Sequence, residues 1–236
     1  MRCKFKMSQK NSVVRIKLES EYCDKVNEFA NEMAEKGDFR SDFEGSAIPR
    51  SKSEIKRDAI EGKYAEYAFY QYIEGVEDWT TDPPDLGVWD RGIWDAGDFE
   101  IRRGDEKRQI EIKSSSMKSR CILLPADSMT LKDDKVYFYD EKDQTDKNCP
   151  DCVVGARVDL EKRTVELAGA LRRQDLRDAM KDPKDYLWKH GEPIPGTSVP
   201  FRVDNYVWVY PQLAEKVNDR SSRPAKETLP FIDKRK

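Results

Sequence analysis

The sequence predicts an α/β fold in which a sheet is flanked by helices, and three observations carry that expectation. Residues 94–116, WDAGDFEIRRGDEKRQIEIKSSS, alternate apolar and charged positions on both sides of a polar turn, the pattern of a half-buried β-hairpin. Residues 51–75 open with Ser51 and Glu54 in capping-box spacing and carry a broad apolar face at helical period. Short apolar or alternating runs at 135–139, 152–158 and 164–167 supply further strands, the last two joined by a turn near Asp159 to Lys162.

In chain order, Val13 to Leu18 (VVRIKL) alternates like a short strand, and Ser20 opens a helix to about Glu35 with Tyr22, Val26, Phe29, Ala30 and Met33 on one stripe. Gly37 ends it, and residues 38–50 read as an irregular connection. The second helix presents Ala59, Ile60, Tyr64, Tyr67 and Ala68 to a sheet, with Phe69 and Tyr72 at the margin of the face. Glu66 sits within it among Ala65, Tyr67 and Ala68, and Gly62 is expected to allow a close backbone approach.

Residues 76–97 are rich in Asp, Pro, Gly and Trp and read as a loop, with one short strand near Val88 and Trp89. Trp79, Trp89 and Trp94 are expected to wedge that loop onto the core, with substrate contact as the alternative. After the hairpin, Leu171 to Met180 reads as a short helix halted before Pro183. A PIPGTS loop then leads to a last strand, Phe201 to Tyr210, in which Trp208 packs or meets a ligand. Pro211 begins another short helix, and NDRSSRPAKETLPFIDKRK forms a basic tail.

Length and composition fit one domain: 236 residues and 27.5 kDa, 37% hydrophobic, enough to bury a core. A core of about 51–168 is expected between an N-terminal strand and helix (1–50) and a C-terminal helix, strand and tail (169–236). The net charge of −3 gives no global attraction to nucleic acid, so DNA contact requires local basic clusters. Lys118, Arg120, Arg172 and Arg173 are the candidates for phosphate contacts.

No apolar run reaches membrane-spanning length, and five cysteines, an odd number, suit a reducing compartment rather than a disulfide scaffold. A cytoplasmic, non-secreted protein is therefore expected, inside a host cell if the source is viral. A single histidine, His190, rules out mechanisms that need several in one chain. Cys149 and Cys152 form one Cys-x-x-Cys without a second pair to complete a zinc site, and an ordinary turn with two thiols is the expectation. No Gly-rich Lys-Ser/Thr motif for a nucleotide cofactor is present.

The chemistry is expected in the hairpin. With the turn at Gly104 and Asp105 or one position later, paired residue numbers sum to about 209 to 211, which sets Asp98 opposite residues 111 to 113. Glu111 and Lys113 point the same way because strands have a period of two. Two carboxylates and an amine then share one patch. Neighbouring carboxylates repel unless a cation separates them, and an all-oxygen donor set suits a hard divalent ion such as Mg²⁺. Lys113 beside it would orient or activate a water, or stabilise charge on a phosphate, and the chemistry implied is metal-assisted phosphodiester hydrolysis. In a chain that is 38% charged the same Glu-x-Lys also occurs on solvated strand faces.

Asp98-x12-Glu111-x-Lys113, preceded by a helix carrying Glu66 in GKYAEYAF, resembles the PD-(D/E)XK nuclease superfamily over about residues 51–139. The resemblance implies a restriction-endonuclease-like core, a central mixed β-sheet flanked by helices. It implies that Asp98, Glu111 and the Ile112 carbonyl bind Mg²⁺, with Mn²⁺ as a substitute. Lys113 then positions water or stabilises the phosphorane-like state, and Glu66 completes or water-bridges the metal site. Gly97, where the family has proline, precedes Asp98; the literal Pro-Asp lies at Pro84-Asp85, so Asp85 and Asp95 are rival ligands. The activity implied is that of a Mg²⁺-dependent DNA endonuclease, type II restriction-like and homodimeric. A viral or repair nuclease selective for DNA structure and a non-catalytic DNA-binding protein of the same fold are the alternatives.

Overall fold

The computed structural model describes residues 13–36, 51–87, 98–140, 145–195 and 197–210, without the side chains of 139, 140 and 145–148. The expected strand at Val88 and Trp89, the 38–50 connection, Asp95, Trp94, the helix from Pro211 and the basic tail lie outside these residues. The elements in order are β1 (Val14–Lys17), α1 (Ser20–Lys36), α2 (Lys52–Glu74), β2 (Phe99–Arg103), β3 (Glu106–Ser116), β4 (Cys121–Pro125), β5 (Met129–Lys132), β6 (Lys135–Asp140) and β7 (Thr145–Asn148). They continue with β8 (Cys152–Asp159), β9 (Thr164–Arg172), α3 (Arg173–Lys181), β10 (Leu187–Trp188) and β11 (Asn205–Val209).

The fold is α/β, built on a mixed five-stranded sheet of order β1-β9-β8-β3-β2. Only β3 and β8 run parallel, joined by a crossover that holds β4 to β7; the other neighbours are antiparallel. β1 pairs with the edge of β9, and Ile16, Leu18, Cys23 and Val26 enter the same buried cluster as α2. The N-terminal segment is thus part of the main sheet and core.

The sheet is covered on both faces, which explains why β8 reads as a nearly continuous apolar run. On one face α1 and α2 bury Ile110, Ile112, Cys152 and Val154 against Tyr64, Ala68 and Phe69. On the other, Val153, Ala168 and Leu171 pack with Ile122, Leu124, Leu176 and Trp208 from β4, α3 and β11. In β9 the side chains facing α2 are Val165 and Leu167 and then Ala170. A bulge opposite Gly155 and Ala156 makes that change of parity, because one extra residue flips every later side chain.

The capping box of α2 forms as predicted: the Ser51 hydroxyl accepts from the Glu54 amide at 3.3 Å and the Ser51 amide donates to the Glu54 carboxylate at 2.8 Å. The short helix starts later than predicted, because Leu171 and Arg172 still belong to β9, paired with Val153 and Cys152. The last strand is shorter than predicted, spanning Asn205 to Val209. No helix among the described residues is long and apolar enough to cross a membrane.

Two glycines play opposite parts. Gly62 makes no close approach, since a Cβ there would meet nothing within 4 Å. Gly155 does: a Cβ would come within 2.5 Å of Ile122 Cγ1 and 2.7 Å of Tyr210 Cε1. Gly155→Ala should therefore destabilise the protein by about 1–3 kcal/mol, while Gly62→Ala should stabilise it by about 1 kcal/mol through helix propensity. Denaturant unfolding of both variants checks the pair.

Candidate active site

The hairpin has the register at the lower end of the predicted range: Phe99 faces Ile110 and Arg103 faces Glu106, so residue numbers sum to 209. Gly104 at φ +57° takes the first of the two turn positions, where an L side chain would be strained. One step beyond the Phe99–Ile110 pair, Asp98 stands at the level of Glu111. Among the described residues β2 goes no further, so the Ile112 amide on that edge of β3 has no strand to bond. Asp98 supplies the acceptor, its Oδ2 lying 2.5 Å from the Ile112 nitrogen.

Parity places the other groups. Ile110 and Ile112 face α2, so Glu111 and Lys113 lie on the opposite face of β3, beside Val153 and Gly155 of β8. Lys113 Nζ donates to Glu111 Oε1 at 2.6 Å. Glu66, on α2, accepts from Lys63 Nζ at 2.6 Å, and both of these side chains are largely buried, at 17% and 13% exposure for Lys63 and Glu66.

The electrostatics tie these groups together. Burial pushes the Asp98 carboxyl well above the usual carboxylate range; the charges of Glu111 and Glu66 add to the rise, against the Ile112 amide and Lys113. Burial alone would lower the Lys113 pKa, but the charge and hydrogen bond of Glu111, with Asp98 behind it, outweigh that and raise it. Lys113 is therefore a firm ammonium, a donor rather than a base. Of the roles expected for it, orienting a water and stabilising negative charge suit that state.

Asp98, Glu111 and Lys113 are thus brought together at the edge of β3, and the charge of Glu66 on α2 bears on Asp98. Asp85 is not among them; it is exposed and turns its carboxylate to the Gly87 amide at 2.7 Å. Lys63 was not singled out in the sequence, although its charge and its spacing of three residues from Glu66 were the available signal. The four basic candidates stand differently. Lys118 is exposed and Arg120 half-buried just past β3, whereas Arg172 pairs with Asp175 at 3.3 Å and Arg173 with Asp151 at 3.1 Å.

Other sequence candidates take structural places. Trp79 is buried with the Arg103 guanidinium 4.8 Å from its ring centroid, and Trp208 is buried against Tyr186 and Tyr206. His190 is exposed, its amide donating to Asp204. Cys149 and Cys152 are both buried but belong to separate core clusters, and burial raises both thiols, Cys149 to about 12.

The donor set fits a hard divalent cation in kind: three carboxylates, two of them raising the pKa of the third, with no nitrogen or sulfur ligand among them. Among the described residues no group of three or more His, Cys, Asp or Glu side chains is placed to hold a metal ion. Glu111 and Glu66 are each turned to a lysine, which neutralises them in place. Comparison of the chain with protein-family models, curated proteins and solved structures gives no match.

A stability prediction follows from the Asp98 shift. Because the folded protein holds the Asp98 proton more tightly than the unfolded chain, ionised Asp98 costs stability at neutral and higher pH, and the cost vanishes as pH falls below the usual carboxylate range. Asp98→Asn should raise the thermal midpoint in chelator by about 2–5 °C at neutral pH, with the gain shrinking in acid. Thermal melts of both proteins across pH check this.

Proposed function

We propose that this protein is a metal-dependent deoxyribonuclease of the restriction-endonuclease-like kind, hydrolysing phosphodiester bonds in DNA with Mg²⁺, or Mn²⁺ in its place. The observation that carries the reading is Asp98 at the open edge of β3, level with Glu111, whose carboxylate meets Lys113; the charge of Glu66 on α2 also bears on Asp98. A mixed sheet with its one parallel pair at β3 and β8, and α2 packed on the hairpin's apolar face, supports the same core.

Asp98, Glu111, Glu66 and the Ile112 carbonyl are the groups that would hold the ion. When bound, such an ion polarises a phosphoryl oxygen and lowers the pKa of a water. The protein's own residues do the rest. The Ile112 amide fixes Asp98, so one carboxylate is preorganised at the strand edge. Lys113, held as an ammonium by Glu111, donates hydrogen bonds to a water or to the charge that grows on the phosphoryl oxygens. Lys118 and Arg120, next along the chain, would take flanking phosphates.

Cleavage of both strands calls for two such sites, and a symmetric homodimer meets that need. Sequence readout would come from surfaces outside the cluster, which fits a type II restriction-like enzyme and equally a viral or repair nuclease that recognises DNA structure.

The test is incubation of the purified protein with plasmid, genomic and branched DNA in Mg²⁺ and in chelator, beside Lys113→Ala and Glu111→Ala. Cleavage that needs Mg²⁺ and falls by about 10²-fold or more in both variants is expected. Discrete fragments would mark a sequence-specific enzyme, and cuts confined to branched DNA a structure-selective one. DNA binding with no cleavage under any condition would instead favour a binding protein of this fold.

A further inference from the structure

A polar row crosses the sheet beyond Lys113, at the level of Ser115. Arg157 of β8 stands between Ser115 of β3 and Glu166 of β9, and Glu166 stands opposite Arg15 of β1. Ala156 and Val158 face α2, so Arg157 lies on the face that carries Glu111 and Lys113. Glu166 accepts from Arg15 Nε at 3.1 Å and from Arg157 Nη1 at 3.0 Å, and only 14% of the Arg157 side chain and 5% of the Glu166 side chain are exposed.

The other arm of the Arg157 guanidinium leaves the row. Its Nη2 donates to the Met117 carbonyl, in the turn that follows β3. The Met117 amide donates to the Val158 carbonyl at 3.1 Å, and the Ser119 amide to the Ser116 carbonyl at 2.9 Å. Lys118, between those two residues, is exposed. Met117 is thus held through both of its backbone groups, and the lysine after it starts from a fixed base.

Stability does not account for an arginine here. A buried ion pair is often no better than apolar packing, and Arg157 Nε is buried with no partner, which adds a further cost. What arginine does, and neither an apolar side chain nor lysine can, is donate along a rigid fork in two directions, here to Glu166 and to the turn.

We infer that Arg157 is a positioning residue that fixes the turn after β3 so that Lys118 meets a DNA phosphate. This rests on the reading that the site on β3 acts on DNA. Arg157 does not touch the phosphate; it acts through Met117. A lysine on a turn already held loses less freedom on binding than one on a loose turn.

The test is binding of a fluorescent DNA duplex to the full-length protein, followed by anisotropy over a range of salt, in chelator and in Ca²⁺. The proteins are wild type, Arg157→Lys, Arg157→Met, Lys118→Ala and the Arg157→Lys/Lys118→Ala double variant, each checked for folding by circular dichroism. Arg157→Lys keeps the charge without the fork, and Arg15 remains to pair with Glu166 in both Arg157 variants.

Arg157→Lys, Arg157→Met and Lys118→Ala are each expected to weaken DNA binding about fivefold and to reduce the salt slope by about one, with the double variant no weaker than Lys118→Ala alone. Full affinity in Arg157→Lys, or a loss that adds to that of Lys118→Ala, overturns the inference and leaves the nuclease reading in place. The expected coupling in a protein that cleaves no DNA leaves Arg157 in this role and rejects the nuclease reading alone. No DNA bound by wild type in either condition rejects both.

Discussion

The Ile112 amide donates to Asp98 at the point where β3 runs on and β2 has not yet begun, and this single bond fixes where the acidic cluster sits. A strand edge offers amides with no partner, and a buried amide without one is costly. Here the acceptor is a carboxylate, brought to the edge by the register of a two-residue turn with Gly104 in the left-handed region. A shift of one residue would carry Asp98 past Ile112 and turn Glu111 and Lys113 into the face packed by α2. The apolar residues that hold the register and the charged residues of the cluster therefore depend on one another.

The three carboxylates differ in their partners. Glu111 has Lys113, Glu66 has Lys63, and Asp98, left with an amide, is the one whose carboxyl is pushed upward by burial and by its neighbours. The second layer packs on the same face of β3 that carries Glu111 and Lys113. Gly155 lies beside Lys113 in the sheet and admits Ile122 and Tyr210, and the Tyr210 hydroxyl stands 3.3 Å from that of Ser115. The lysine thus leaves the strand beside packed side chains of that layer, and its ammonium is anchored on Glu111.

Much of this was legible in the chain. Alternation in 98–103 and 106–113 defines the hairpin and the side on which Glu111 and Lys113 fall, and the Ser51/Glu54 pair defines the start of α2. The parallel pairing of β3 with β8 was not legible locally, because Cys152 to Val158 is apolar on both faces and carries no period that names its neighbour. The bulge at Ala168 hid the length of β9 for a similar reason: it breaks the parity by which a strand is read, and Leu171 and Arg172 then look helical. Gly62 is an open position and not the close approach its missing side chain suggests, since sequence shows a missing side chain and not the space around it. Lys63 carries no distinguishing signal in the sequence because ion pairs three residues apart are common on helices, and its burial beside Glu66 sets it apart.

The central claim is that this charge-compensated cluster is a divalent-cation site, and the most direct measurement is a crystal structure with Mn²⁺ read by anomalous scattering. The account predicts an anomalous peak within coordination distance of both Asp98 and Glu111, with the Glu111 carboxylate reoriented from Lys113 toward the ion. Crystals holding Mn²⁺ elsewhere on the protein, with Lys113 still on Glu111, Lys63 still on Glu66 and no peak beside Asp98, would contradict it.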